Sequence, residues 1–399
     1  MQQLPLDRPA PVTEPATHAT FALWNLGFRP FYLLASVFSA ISVILWAAQF
    51  SGYLPFAYLS GASWHGHEML FGYTQAIVAG FLLTAVQAWT KQATPSGAPL
   101  MALAALWIGG RILVLTPLAM TAAVVNAVFP LAVAVAISIP LWKARNTRNY
   151  FFVGLLVLMS MLIFAVHMAL QGHFDLSPQI GLQLALDLVL FIMVVMGGRV
   201  IPMFTNNGIP GTNATRHPLV EKVALGSVML LFAAALLQWS PPLVAMIALV
   251  SALANGWRLF LWKPWRTLAT PLVWILHAAY AWIVVYLCLR GLTVLGLLAG
   301  SYAAHALTVG AIGGLTLGMM TRTARGHTGR PLITDGFEIT VFVLIQAAAI
   351  IRVFGGIASP DLYRVSIELS GLLWAGAFGL YALRYWPVLT RPRLDGKPG

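Results

Sequence analysis

The chain reads as an all-α, polytopic membrane bundle of about twelve spanning helices, with N- and C-termini both cytoplasmic. Three observations predict this. Hydrophobic residues make up 59% of the 399 and charged residues only 9%, with a mean hydropathy of +0.83. An ordinary soluble domain carries roughly 25% charged residues, so this much apolar sequence must have lipid as its solvent. Secondly, uncharged stretches long enough to cross a bilayer recur along the whole chain. Thirdly, the basic residues alternate between loops in the way that orients a multi-pass protein.

The spans fall at about 30–50, 68–90, 99–117, 121–142, 150–171, 180–202, 222–239, 241–261, 270–290, 303–321, 337–357 and 363–386. The ninth is ambiguous at its end, because 291–300 is apolar too. With the N-terminus cytoplasmic, 19 of the 23 Lys and Arg fall in inside tails and loops. Only Arg290, Arg352 and Arg364 fall outside, and Arg111 lies within the third span. A missed span would scramble that alternation, so the charges support the count. Residues 1–25 form a polar, proline-rich cytoplasmic tail, disordered and without the apolar core of a cleaved signal peptide. Residues 26–388 form one bundle, with no linker or obvious repeat to divide it, and 389–399 are a cytoplasmic tail.

Net charge +12 and a pI near 10.2 do not point to nucleic acid, because the cations are scattered rather than striped with aromatics. The single cysteine, Cys288, excludes an internal disulfide and any CxxC site.

The nine histidines carry the functional signal. His65 and His67 stand at the outer mouth of the second span, His167 near the outer end of the fifth, and His305 at the outer start of the tenth. His173 follows the fifth span at a similar level, whereas His277 lies in the inner half of the ninth and His327 in the inside loop after the tenth. His18 and His217 fall in the tail and an inside loop. Any one interfacial histidine is plainly read as hydrogen-bonding water or headgroups. Several at one depth, from three spans, favour a metal or haem centre, because imidazoles on facing helices are how bundles hold such groups. On a regular helix His65 shares its face with Gly72, Ala76 and Leu83, a mostly small strip with room for a macrocycle. His67 lies about 200° away, so the pair serves one centre only if the helix begins after them. Between the two, His65 is the preferred haem ligand. Glu68 either orients a ring N–H or caps the helix.

Intramembrane charges face the bundle interior or water. For Asp187 and Arg111 a structural ion pair is the plain reading; a propionate clamp is the sharper one for Arg111. Gly310, Gly314 and Gly318 form a close-packing ridge directed away from His305. Met159, Met161, Met168, Met193 and Met196 read as packing rather than copper ligands.

The segments LGFRPFYLLAS (26–36), WHGHEMLFGYTQAIVAGFLLTAVQAWT (64–90), GGRVIPMFTN (197–206) and HALTVGAIGGLTLGMMTRTARGHTGRPL (305–332) resemble the NnrS family over most of the chain. The resemblance implies a twelve-helix bacterial inner-membrane protein containing haem, with a b-type haem expected, and copper. It further implies association with nitric oxide metabolism, denitrification and nitrosative-stress defence. The family's histidine motifs map onto His65, His67, His277, His305 and His327. A fainter likeness to the catalytic subunit of haem–copper oxidases is analogy only. The chain lacks that subunit's histidine pair in the seventh helix and its histidine motif in the sixth.

The expected cofactor-binding residues are therefore His65, His67, His305 and Arg111. The candidate metal ligands are His65, His67, His167, His305, His277 and His327. The ligand is nitric oxide or a similar small diatomic, reaching an outer-level site from the lipid. Enzymatic turnover, as haem–copper redox activity toward nitric oxide, stays open. One alternative is a multi-pass transporter, which would use a midplane site with broken helices and Asp187 and Arg111. Another is a factor delivering metal or haem to a respiratory enzyme.

Overall fold

A computed structural model describes residues 21–53, 59, 61–174 and 177–397. Much of the expected disordered lead-in, with His18, lies outside them. Twelve long helices and no strand are present among the described residues. They are α1 Phe28–Phe50, α2 Gly61–Thr90, α3 Ala98–Leu113 and α4 Ala119–Lys143. Then come α5 Phe151–Leu170, α6 Pro178–Gly208, α7 Pro218–Leu236 and α8 Pro241–Leu261. The last four are α9 Pro271–Val294, α10 Gly300–His327, α11 Gly336–Ala358 and α12 Tyr363–Thr390. Eleven are long and apolar enough to cross a membrane, and α3 is the shorter twelfth.

The boundaries follow local chemistry. Proline opens α3, α6, α7, α8 and α9, where its missing N–H costs no helical hydrogen bond. At α11 Asp335 and Glu338 form a reciprocal capping box. Gly172 and Gly296 take left-handed φ values of 75° and 74° just past α5 and α9, a conformation glycine adopts without a Cβ penalty. The Gly296 turn resolves the ambiguous ninth span, which stops at Val294.

Each helix packs against the one before it, and α12 closes back onto α1. Additional contacts join α6 to α9 and α10 to α1 and α12. The most enclosed spans are α2, with 78% of its apolar window buried, and α9 and α10, each with 67%. Leu253, Leu383 and Val135 instead point outward with many other large apolar side chains. In water that surface would be an aggregation patch; in a bilayer it is the lipid face.

Two inner helices are irregular in the same way. α2 carries a π-helical stretch at Glu68–Thr74 and α10 one at Ala306–Gly313, each immediately after a histidine. A π turn inserts residues into the helical wheel and is found mostly at functional sites. The glycine ridge of α10 lies against α9. A Cβ at Gly310 would overlap the Trp282 ring, one at Gly314 would sit 2.7 Å from the Ala279 Cβ, and one at Gly318 2.9 Å from Ile275.

Candidate functional site

Antiparallel alternation brings the end of α1, the start of α2, the end of α5 and the start of α10 to the face opposite the termini. This is the level at which His65, His67, His167 and His305 were expected together, and the fold does place them there, in two pairs.

The pairs separate because α2 begins at Gly61, earlier than the sequence suggests, so both histidines lie within the helix. They therefore diverge. His65 stacks on Trp46 of α1, centroids 5.0 Å apart, and its ring lies 6.2 Å from that of His305, with only 14° between the planes. The Nδ1–H of His305 donates to the Ser301 carbonyl at 2.6 Å. That bond fixes the tautomer and leaves the Nε2 lone pair free. His65 makes no hydrogen bond through either nitrogen among the described residues, and its Nδ1 is buried. Arg352 of α11 is the charged neighbour of both rings. One of its terminal nitrogens, Nη1, is buried without a partner.

His67 turns the other way and is fully buried. Its Nδ1–H donates to Glu68 Oε1 at 2.7 Å, so its Nε2 carries a lone pair. His167 of α5 meets that nitrogen, Nε2 to Nε2, at 2.9 Å. With His67 protonated on Nδ1, His167 is the donor in this bond, and its buried Nδ1 is left without a partner. Arg111 of α3 donates to the same Glu68 oxygen at 2.7 Å and also hydrogen-bonds Asn126 of α4. A continuous chain of polar side chains thus runs Asn126–Arg111–Glu68–His67–His167 through four helices. Of the two roles open to Glu68, it fills the orienting one.

The small-residue strip is not a vacant slot. The π stretch shifts the wheel after His67, and Gly72 faces α3 and α1, where a Cβ would sit 2.6 Å from Arg111 and 2.8 Å from Phe38. The Trp107 indole donates to the Gly72 carbonyl at 3.0 Å in the same place. That glycine admits the Arg111 guanidinium rather than a macrocycle.

Other expected residues lie elsewhere. His277 of α9 hydrogen-bonds Thr205 of α6 at 2.8 Å through Nε2. His327 is the last residue of α10, not a loop residue, with its ring 5.6 Å from that of Phe28. They share no partner with each other or with the opposite face. His173 is exposed. Asp187 pairs with Arg290 of α9, supported by Gln183 and Tyr286, and not with Arg111. The two residues a transporter would use are thus closed in separate pairs.

Sequence reasoning passed over Trp46, Asn126, Ser301 and Arg352. Arg352 looked like an outside-loop cation because the charge count gave it a side and no neighbours. One usable signal was in the text of the chain: His67 and His305 are each followed by glycine five and thirteen residues later. That shared spacing accompanies the shared π turn.

A family model described as NnrS protein matches residues 22–393, nearly the whole chain. Comparison with curated protein sequences finds no match.

Proposed function

The chain belongs to the NnrS family, and from that premise we propose that it is a haem- and copper-binding protein of the bacterial inner membrane acting in nitric oxide metabolism. The observation that carries the site is the pair His65–His305. With ring centroids 6.2 Å apart, the two imidazoles are near enough that one metal ion, about 2 Å from a nitrogen of each, would be within reach of both. The backbone-anchored Nδ1 of His305 is the arrangement that readies a metal-ligating histidine. The partnerless nitrogen of Arg352 is a donor suited to a propionate carboxylate or an anionic product.

His65 and His305 would hold the iron or copper, with Trp46 stacked on the His65 ring. Copper held there would offer a diatomic ligand a position beside the two imidazoles, haem iron would offer one where a single imidazole ligates it, and an uncharged ligand reaches this level directly through the lipid. His67 and His167 touch at hydrogen-bond distance, Nε2 to Nε2 at 2.9 Å. Their part is to hold a proton on a defined nitrogen two residues from His65. Glu68 keeps that proton on His67 Nδ1, and Arg111 pairs with Glu68 rather than clamping a propionate.

The test is the visible spectrum and metal content of the purified full-length protein. A Soret band that shifts on adding nitric oxide is expected, with haem content lost in both His65→Ala and His305→Ala. The same loss is not expected in His277→Ala. Colourless, metal-free wild-type protein would refute the reading, and full haem content in both site variants would refute the ligand assignment.

A further inference from the structure

The segments that carry the family likeness have a second meeting point, at the face of the termini. Phe28 and His327 touch there, and Arg29 has Arg330 and Arg393 as charged neighbours. Beside them lies a cavity of about 320 Å³ between the ends of α10 and α12 and the start of α11. Arg325, Arg330, Arg384 and Arg391 line it, with Glu338 and Tyr385. We propose that this cavity binds a phosphate-type oxyanion, either as the headgroup of an anionic phospholipid or as free phosphate.

The available carboxylates are already engaged. Glu338 accepts from Arg325 at 2.5 Å, from the Tyr385 hydroxyl at 3.0 Å and from the Asp335 backbone at 3.0 Å. Asp335 pairs with Arg384 at 2.5 Å, and Asp395 with Arg393 at 2.6 Å. Arg330 and Arg391 form no ion pair among the described residues. The Nη1 of Arg330 is buried without an acceptor, and nearby Arg29, fully buried, has two such nitrogens, Nε and Nη2. Burial together with the Arg325 and Arg391 guanidinium groups pushes Arg330 below the ordinary arginine range. Guanidinium donors gathered without acceptors are costly, and an oxyanion with several acceptor oxygens satisfies them at once.

Size and depth fit the same ligand. The volume lies at the lower end for small-molecule sites. Trp386, exposed on α12, and the Phe337 ring under Arg384 at 5.6 Å mark the level of an aromatic interfacial belt. Basic pockets between helices at that level recognise anionic headgroups.

The experiment measures thermal unfolding of the purified full-length protein in detergent. Phosphatidylglycerol, zwitterionic phosphatidylcholine and inorganic phosphate are added separately. Two variants are run alongside: Arg330→Gln/Arg391→Gln, and Arg391→Gln alone, which changes an exposed residue and leaves folding intact. In the wild type, phosphatidylglycerol raises the midpoint by several degrees and phosphatidylcholine does not. The shift shrinks in the single variant and vanishes in the double. A rise with phosphatidylglycerol alone assigns the lipid headgroup, and a rise with phosphate as well assigns the oxyanion itself. No rise with either, or an equal rise in the variants, overturns the proposal.

Discussion

Glu68 has two partners on a single oxygen, His67 Nδ1 and Arg111 Nη1, each at 2.7 Å. It is almost fully buried, as are both partners. Replacing its carboxylate by an amide leaves a guanidinium in a low-dielectric interior with only neutral amide oxygens to accept from it. Breaking one side of such a buried pair costs about 3–5 kcal/mol, whereas replacing both sides with apolar groups is often neutral. Glu68→Gln is therefore expected to lower thermal stability sharply, and Glu68→Gln/Arg111→Met to recover much of the loss. The two single variants and the double one, measured by thermal unfolding in detergent, form the cycle. A double variant less stable than either single would show that the pair is not what holds this corner.

At the scale of elements, α10 is the helix that both sites share. Its start presents His305 and its end presents Arg325. The π stretch between lets His305 face α2 while the glycines face α9. A methyl group added at Gly310 would meet the Trp282 ring and push α10 off α9, and overpacking of that kind typically costs about 1–3 kcal/mol. Gly310→Ala is expected to destabilise the protein and to reduce bound haem, because His305 moves with its helix. Gly226→Ala in α7, where a Cβ meets nothing within 4 Å, is the control. It removes a helix-interior glycine and is expected to be neutral or stabilising by up to about 1 kcal/mol. Equal haem loss in both would detach the ridge from the site.

At the scale of the whole molecule, twelve helices that all cross place both termini on one face, and the charge asymmetry predicts that this face is the cytoplasmic one. Fusing green fluorescent protein to either end is expected to give fluorescent cells, since that reporter folds on the cytoplasmic side. Alkaline phosphatase at the same positions should be inactive. Active phosphatase at either end would invert the orientation and with it the exposure of both sites. The C-terminal segment also closes the terminal face: Leu394 donates to the Thr328 carbonyl at 3.0 Å, and Arg393 to that of His327 at 2.9 Å. Ala22 donates to the Thr390 carbonyl at 2.7 Å on the same side. Chain ends that looked like polar tails thus contribute backbone contacts around the arginine cavity.

The sequence by itself determined the solvent, the number of spans, the face on which the histidines gather and the family. Those properties depend on hydropathy, charge and spacing, which each stretch expresses whatever its neighbours are. Only the tertiary structure decided the pairing. It joined His65 to His305 and His67 to His167, gave Arg111 to Glu68 and Asp187 to Arg290, and brought Arg352 to the site. The physical reason is helical phase. An ideal wheel carried past Glu68 points the wrong way, because π turns and an earlier helix start rotate everything beyond them. Which side chains meet then depends on how whole helices cross, set by contacts such as Gly310 on Trp282 between residues far apart in the chain.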